Sequence, residues 1–388
     1  MSSNLRRLMP IYLILLLWMI LWSASVSGPV LPLYVESLGI GVIGWSLLAT
    51  SSAVGMFLFE WLWGALADRV DRRLLMLFSV LCMSALFPLY TLRPLIPYLL
   101  ILQFFSGAIG VILGPTTRAY VSDESPHQSL GFFASLWWAF LTVGRTIGPL
   151  IGTYLAELYT FTCSFYVSTV LALVLACLIV LNYPKLKPSA NASTQKIQTL
   201  RPTLHTRSAG FLFLSVMFAF MTVALMRSFL PIYASEQIKM STVEVGVLLS
   251  ATSAAQLVAI PFLGWLSDKF GKRRVVGVGF ALSSGLFLFF LVARTESQLF
   301  LVWVVVSLGL CASFLPLALI PEVTPNTLYG SAVGMYGSFE DLGVIIGPLV
   351  YGFVWSNFSP VLIFAVGSLA QLASALLIFA VKPQRAKN

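Results

Sequence analysis

Charge is scarce in this sequence. Only 10% of its 388 residues are Asp, Glu, Lys or Arg, against about 25% in a soluble domain, so most of the chain has no water-exposed surface to cover. Histidine is nearly missing. His127 and His205 are the only two, both in polar loop sequence, which removes the usual metal ligand and acid-base catalyst. The four cysteines, Cys82, Cys163, Cys177 and Cys311, sit in apolar runs without metal-site spacing and read as buried core thiols. No nucleophile-histidine pair or phosphate loop has a credible spacing. Enzymatic chemistry, a cofactor and a resident metal are therefore not expected. The net charge of +9 falls in short clusters that membrane orientation explains, so it does not imply nucleic acid.

What is present is apolar length. Hydrophobic residues make up 59% of the chain, and a bilayer span needs about 20 of them in a row. Runs between charged or Pro/Gly-marked breaks predict twelve helices: 9–35, 41–67, 74–92, 96–121, 131–155, 161–183, 211–234, 243–267, 275–293, 298–320, 328–353 and 359–381. Residues 1–28 imitate a secretory signal, with Arg6 and Arg7 before an apolar stretch. That stretch is too long for a signal core and reads as the first span.

With both termini cytoplasmic, inside segments hold 17 of the 23 Lys and Arg residues. Outside loops hold Arg93, Lys239 and Arg294, and Arg118, Arg145 and Arg227 fall within helices. That bias sets the expected orientation. Residues 184–210 form the one long polar segment and read as a cytoplasmic linker between an N-terminal bundle, 1–183, and a C-terminal bundle, 211–388.

The two bundles repeat one another. Leu31-Pro32-Leu33-Tyr34 returns as Leu230-Pro231-Ile232-Tyr233, and Gly144-x-x-x-Gly148-Pro149 returns as Gly343-x-x-x-Gly347-Pro348, both at an offset of 199. Gly64-x-x-x-Asp68-Arg69 returns as Gly264-x-x-x-Asp268-Lys269 at 200. Two parallel copies of a six-helix unit with a polar pathway between them are implied.

On these residues the whole chain resembles the major facilitator superfamily, and within it the twelve-helix drug:proton antiporter branch. The resemblance implies an all-α membrane fold of two pseudo-symmetric six-helix bundles working by alternating access. Its loop motif covers Gly64, Asp68, Arg69, Arg72 and Arg73, with Asp71 in place of the usual turn glycine. A fuller copy covers Gly264, Asp268, Lys269, Gly271, Lys272 and Arg273. The resemblance implies a cytoplasmic gate there; topology and close packing alone account for the basic residues and glycines, but not for the two aspartates. Gly144, Gly148, Pro149 and Gly152 resemble the exporters' helix 5 motif, with Thr153 where a further glycine is common. Together with Gly343, Gly347 and Pro348 they also read simply as close helix packing. Gln103 stands where proton-coupled relatives usually have an arginine.

Six charges inside the predicted helices do not repeat. Glu60 maps to Ile260, Arg118 to Leu317, Arg145 to Val344, Arg227 to Gly28, Glu340 to Leu141 and Asp341 to Thr142. A charge at mid-bilayer costs about 2.5–3.5 kcal/mol on insertion scales, so each needs a cavity or a partner. Glu60 fits either a structural carboxyl paired with an arginine or a proton carrier. Arg145 and Arg227 fit an anion clamp or the neutralisation of Glu60 and Glu340. Arg118, near a helix end, fits snorkelling. Glu340 and Asp341 point about 100° apart, and Glu340 is favoured for the cavity. Phe105, Trp137, Trp138, Phe140 and Phe220 offer stacking surfaces or ordinary packing.

The expected function is proton-driven efflux of small amphipathic compounds by a monomer in the cell membrane, inner or plasma. Transport of a specific metabolite or organic anion is the second reading, and a non-transporting sensor the third.

Overall fold

In a bilayer every backbone N–H and C=O must bond within its own segment, which leaves the helix as the unit of construction for such apolar runs. The computed structural model describes residues 2–67, 69–93, 95–125, 130–182, 207–325 and 329–382, and the elements among them are helices. Asp68, His127, His205 and residues 184–206 of the expected linker lie outside the described residues, whereas residues 207–210 are helical.

Twelve helical stretches follow. They are α1 (Ser2–Ser25, resuming as Val30–Ser37), α2 (Val42–Ala67), α3 (Arg72–Leu89), α4 (Ile96–Gly110, resuming as Leu113–Glu124), α5 (Leu130–Leu158) and α6 (Phe161–Asn182). After them come α7 (Arg207–Ser228, resuming as Leu230–Glu236), α8 (Thr242–Phe270), α9 (Lys272–Phe287, tightening to a 3₁₀ turn at Leu288–Leu291), α10 (Glu296–Leu310, continuing through 3₁₀ turns to Ile320–Val323), α11 (Tyr329–Asn357) and α12 (Leu362–Ala380). Eleven of these are long and apolar enough to cross a membrane. The twelfth, α5, has 29 residues; Arg145, Pro149 and its glycines and threonines dilute its apolar character without shortening it.

The helices with internal breaks are informative. α1, α4, α7 and α10 are the first and fourth helices of each repeat, and each is interrupted, at 26–29, 111–112, 229 and 311–319. At the first break the Val26 and Ser27 amides both donate to the Trp22 carbonyl. Pro32 and Pro231 fall in the opening turns of the resumed helices, where a missing N–H costs no intrahelical bond. The repeated Leu-Pro-x-Tyr string is thus the restart signal of a broken helix.

Two units emerge from the packing, residues 1–194 with 240–254, and residues 195–239 with 255–388. In the first unit α1 lies along α5, α2 along α4 and α3 along α6. Glycines set the spacing of the first pair. A Cβ on Gly152 would stand 2.0 Å from the Ala24 carbonyl oxygen, and one on Gly148 would stand 2.6 Å from that of Ile20. The α2/α4 pair closes in the same way, through Gly55 on Phe104 and Gly107 on Ser52. Thr153, in place of the further glycine, abuts Gly246 at the start of α8, so the small residue is supplied by the neighbour. One turn away the Glu157 carboxylate accepts from the Val243 amide at 2.7 Å, satisfying one open donor of the α8 N-terminus.

In the second unit α7 lies along α11 and along α12, and α9 along α12. Gly343 meets the Met217 carbonyl and Gly347 the Met221 carbonyl. Buried polar pairs tie α12 in: Ser215 with Ser374, Ser284 with Ser368, and the Gln371 amide donating to Thr222 at 2.7 Å.

The cysteines correct one expectation. Only Cys311 is buried; Cys82 and Cys163 are half-buried and Cys177 is exposed, all four with free thiols. Apolar sequence signals the protein core only in water, because lipid accepts apolar side chains such as Leu181 and Val258 on the outer surface equally well.

Candidate functional site

Discontinuous helices are where transporters expose polar backbone and gather polar side chains, and several of the unrepeated charges stand near the breaks. In the first unit Arg118 follows the α4 break by six residues, on the resumed helix Leu113–Glu124. Its guanidinium lies 4.8 Å from the centre of the Trp137 ring on α5. The Trp137 N–H donates to the Thr117 hydroxyl at 2.9 Å, and that hydroxyl donates to the Leu113 carbonyl at 2.6 Å. The indole is therefore pinned, with one face turned to the cation. Trp138 meets Trp137 edge-on, centroids 5.3 Å apart. Arg118, Val121 and Ser122, at helical i, i+3 and i+4, face Ala134, Trp137 and Trp138, at the same spacing on α5, across a cavity of about 180 Å³.

Glu60 on α2 lies seven residues, about 10 Å, before the end of that helix at Ala67. It is half-buried and within electrostatic reach of Arg118, although the two do not form a direct ion pair. The structure thus brings together Glu60 and Arg118, and gives Arg118 a packing partner in Trp137 that the snorkelling reading did not foresee. Gln103 is 2% exposed, and its carboxamide oxygen has no hydrogen-bond partner among the described residues. Arg145 is half-buried at the middle of α5, beside the glycine face that packs on α1. Of the remaining aromatics, Phe105 packs on Phe104, Phe140 on Tyr12 and Phe220 on Phe314.

In the second unit the Tyr336 hydroxyl, on a residue 4% exposed, is hydrogen-bonded to Glu340 one turn along α11. Asp341 is half-buried beside it. Arg227 occupies the last turn of Arg207–Ser228, just before the α7 break, and is exposed. The α7/α11 register, with Gly343 at Met217 and Gly347 at Met221 and Ala224, sets Arg227 about 15–20 Å further along the helix pair than Glu340. Within this unit Arg227 does not neutralise Glu340.

The loop motifs are anchored differently. After α2, Arg72 is 4% exposed; it donates to the Ala67 carbonyl at 3.2 Å and pairs with Asp123 at the end of α4 at 2.7 Å. Arg7 pairs with the adjacent Glu124 at 2.9 Å. Asp123 and Glu124 were not singled out from sequence, yet a signal existed: two carboxylates at a helix C-terminus oppose the helix dipole and require cations. Arg73 donates to the Val180 carbonyl at the end of α6, and Asp71 accepts from the Arg73 amide as the α3 cap. Arg69 is exposed and Gly64 half-buried.

After α8, Lys269 lies over the Trp265 and Phe270 rings, at 5.3 and 5.5 Å. Lys272 donates to the Ala318 carbonyl at 3.2 Å, and Arg273 donates to Phe379 at the end of α12. Gly271 has φ +92°, and Asp268 is exposed.

Comparison with known proteins adds the following. The family model described as Major Facilitator Superfamily matches residues 13–236 and 212–388. The chain is 28% identical over 359 residues to "Multidrug resistance protein MdtG" of Proteus mirabilis strain HI4320, covering 86% of each chain. It is 27% identical over 379 residues to the protein of that name from Escherichia coli O1:K1 / APEC, covering 91% of this chain and 89% of that one. Among solved structures, a bacterial homologue of the human lysosomal transporter Spinster superposes with a TM-score of 0.78 at 16% identity, over 97% of this chain and 94% of that one. The nucleoside transporter NupG superposes at 0.80 and 12% identity, over 96% and 98%. At these identities the likeness is one of fold.

Proposed function

This chain belongs to the Major Facilitator Superfamily, and we propose that it is a proton-coupled exporter of small amphipathic compounds. Membership makes it a multi-pass secondary transporter of small molecules rather than an enzyme. The MdtG proteins it resembles over most of its length are named for multidrug resistance, and in a secondary transporter resistance is explained by export of drug-like substrates. In this reading it is a monomer in the inner or plasma membrane with both termini cytoplasmic. The six-helix halves, 1–183 and 211–388, rock about the 184–210 linker, and the loops after α2 and α8 hold the cytoplasmic side.

The observation that carries the coupling is Glu60, a carboxyl inside a membrane span with the cation of Arg118 within electrostatic reach. When the site opens to one face Glu60 takes a proton, and when it opens to the other Glu60 releases it. Arg118 makes the ionised state tolerable between these events. Gln103 puts a neutral amide where proton-coupled relatives usually have an arginine, so coupling in this chain does not use that arrangement.

The test is transport by purified protein in liposomes under an imposed proton gradient, with a panel of cationic drugs, sugars and organic anions. Gradient-driven drug movement that disappears in Glu60→Gln is the expected result; drug movement indifferent to pH and uncouplers would end the coupling claim. A second reading, transport of a specific organic anion, draws on Arg145 and Arg227 standing within spans. It requires neutralising either arginine to reduce movement of anions selectively.

A further inference from the structure

The cavity between α4 and α5 holds a feature that exchange of a proton at Glu60 does not use. Arg118 presents one face to Trp137, and among the described residues its N–H groups make neither a hydrogen bond nor an ion pair with protein. A guanidinium has five such donors in a planar fork matched to carboxylate, sulfonate or phosphate oxygens. Trp137 cannot turn away, because Thr117 holds its N–H and the Leu113 carbonyl in turn holds Thr117. The other walls are Val121, Ala134 and the exposed Trp138, with Ser122 as an additional hydroxyl. About 180 Å³ is room for one ring or a short chain; a 150 Å³ apolar cavity accepts benzene. Cationic ligands are disfavoured, since the face of Trp137 is already occupied by a positive charge.

We infer that Arg118, Trp137 and Trp138 form a binding site for an amphipathic acid, whose anionic group engages the Arg118 fork while its apolar body lies against Trp138, Val121 and Ala134. Two sources supply that chemistry, a free amphipathic acid and the anionic headgroup of a bilayer lipid. Glu60, on the neighbouring helix, competes with such an acid for the field of Arg118. This inference concerns binding rather than movement, so it stands or falls independently of proton-coupled export.

The experiment is equilibrium binding of 4-butylbenzenesulfonate, and of its neutral counterpart 4-butylbenzenesulfonamide, to the full-length protein in nanodiscs of phosphatidylcholine. The sulfonate is expected to bind at least about tenfold more tightly than the sulfonamide. Arg118→Gln should abolish that preference, Arg118→Lys should keep part of it, and Trp138→Ala should weaken both probes. Glu60→Gln should tighten the sulfonate severalfold by removing the competing carboxylate, an effect that a purely structural role for Arg118 does not produce. Repeating the titration with one-fifth phosphatidylglycerol separates the sources. If the lipid occupies the site, sulfonate affinity drops in wild type and native mass spectrometry finds a retained phosphatidylglycerol that Arg118→Gln loses; if the free acid does, affinity is unchanged. Equal binding of sulfonate and sulfonamide, or undiminished preference in a monodisperse Arg118→Gln, overturns the inference. Should Arg118→Gln fail to fold, the Arg118→Lys and Glu60→Gln shifts decide in its place, and absence of both shifts overturns it equally.

Discussion

The loops after α2 and α8 share a sequence pattern and differ in how they are held. After α2, Arg72 is buried and joined to Asp123; after α8, Lys272 donates to the Ala318 carbonyl and forms no ion pair among the described residues. Glu322 is the residue at Asp123's position in the second repeat, 199 residues on. It lines an open cavity of about 580 Å³ together with Lys272, Arg273 and Arg274, without an ion pair across it. The outer anchor is preserved in both copies, Arg73 on the last turn of α6 and Arg273 on the last turn of α12. The repeated motif thus shares its outer anchor between the halves, while its centre is locked in one half and open in the other. A planar, bidentate Arg suits a locked pair, and a flexible Lys an open one.

The halves differ most in energy at their glycine seams. Gly152→Ala drives a methyl against the Ala24 backbone, whereas Gly347→Ala meets the Met221 carbonyl at a milder 3.1 Å. We expect the first to cost about 2–3 kcal/mol and the second under about 1 kcal/mol, read as thermal unfolding in detergent. Equal shifts would mean that the two seams are interchangeable.

Next in size is the central basic residue. Arg72→Ala removes a charge-assisted bond of about 1.5–3 kcal/mol and should slow transport by roughly tenfold or more. Lys272→Ala should slow it less than about twofold, by the same conversion; initial rates in proteoliposomes decide. The turn residue gives a smaller contrast. Gly271→Asp places a side chain at φ +92°, a strain of about 1–3 kcal/mol, while Asp71→Gly exchanges a capping side chain for glycine at a few tenths. Swapping both in one chain should therefore destabilise α9 far more than α3, visible as local hydrogen exchange. The smallest effect sharpens the likeness instead: Arg73→Ala and Arg273→Ala should each lose about 0.3–1 kcal/mol, and equally, because both answer a helix C-terminus.

Much of this was legible in advance, for reasons particular residues make plain. The spans were readable because lipid imposes a length and leaves the backbone no choice but helix. Observed ends fall within a few residues of those expected, as with α2 at 42–67 against 41–67 and α4 at 96–124 against 96–121. The glycine motifs announced close packing, and Gly144, Gly148 and Gly343 do lie against α1 or α7 backbone. Asp123 was harder to see because its meaning depends on Arg72, 51 residues away in the chain. Arg118 is exposed near its helix end, as a snorkelling residue is, but nothing local reveals that α5 brings Trp137 over it. Cys177 looked buried because an apolar run reads the same whether it faces protein or lipid.

The solvent, the twelve helices and the repeat follow from local composition and from spacing along one chain, and the family from the resemblance of its motifs. Which charges meet came from the packing of the helices: Arg72 with Asp123, Arg7 with Glu124, Arg118 with Trp137 and in reach of Glu60, and Arg227 far along its unit from Glu340. The physical reason is that a charge inside a membrane is tolerable only through its neighbours, and those neighbours come from other helices, whose register is set by close packing rather than by position in the chain.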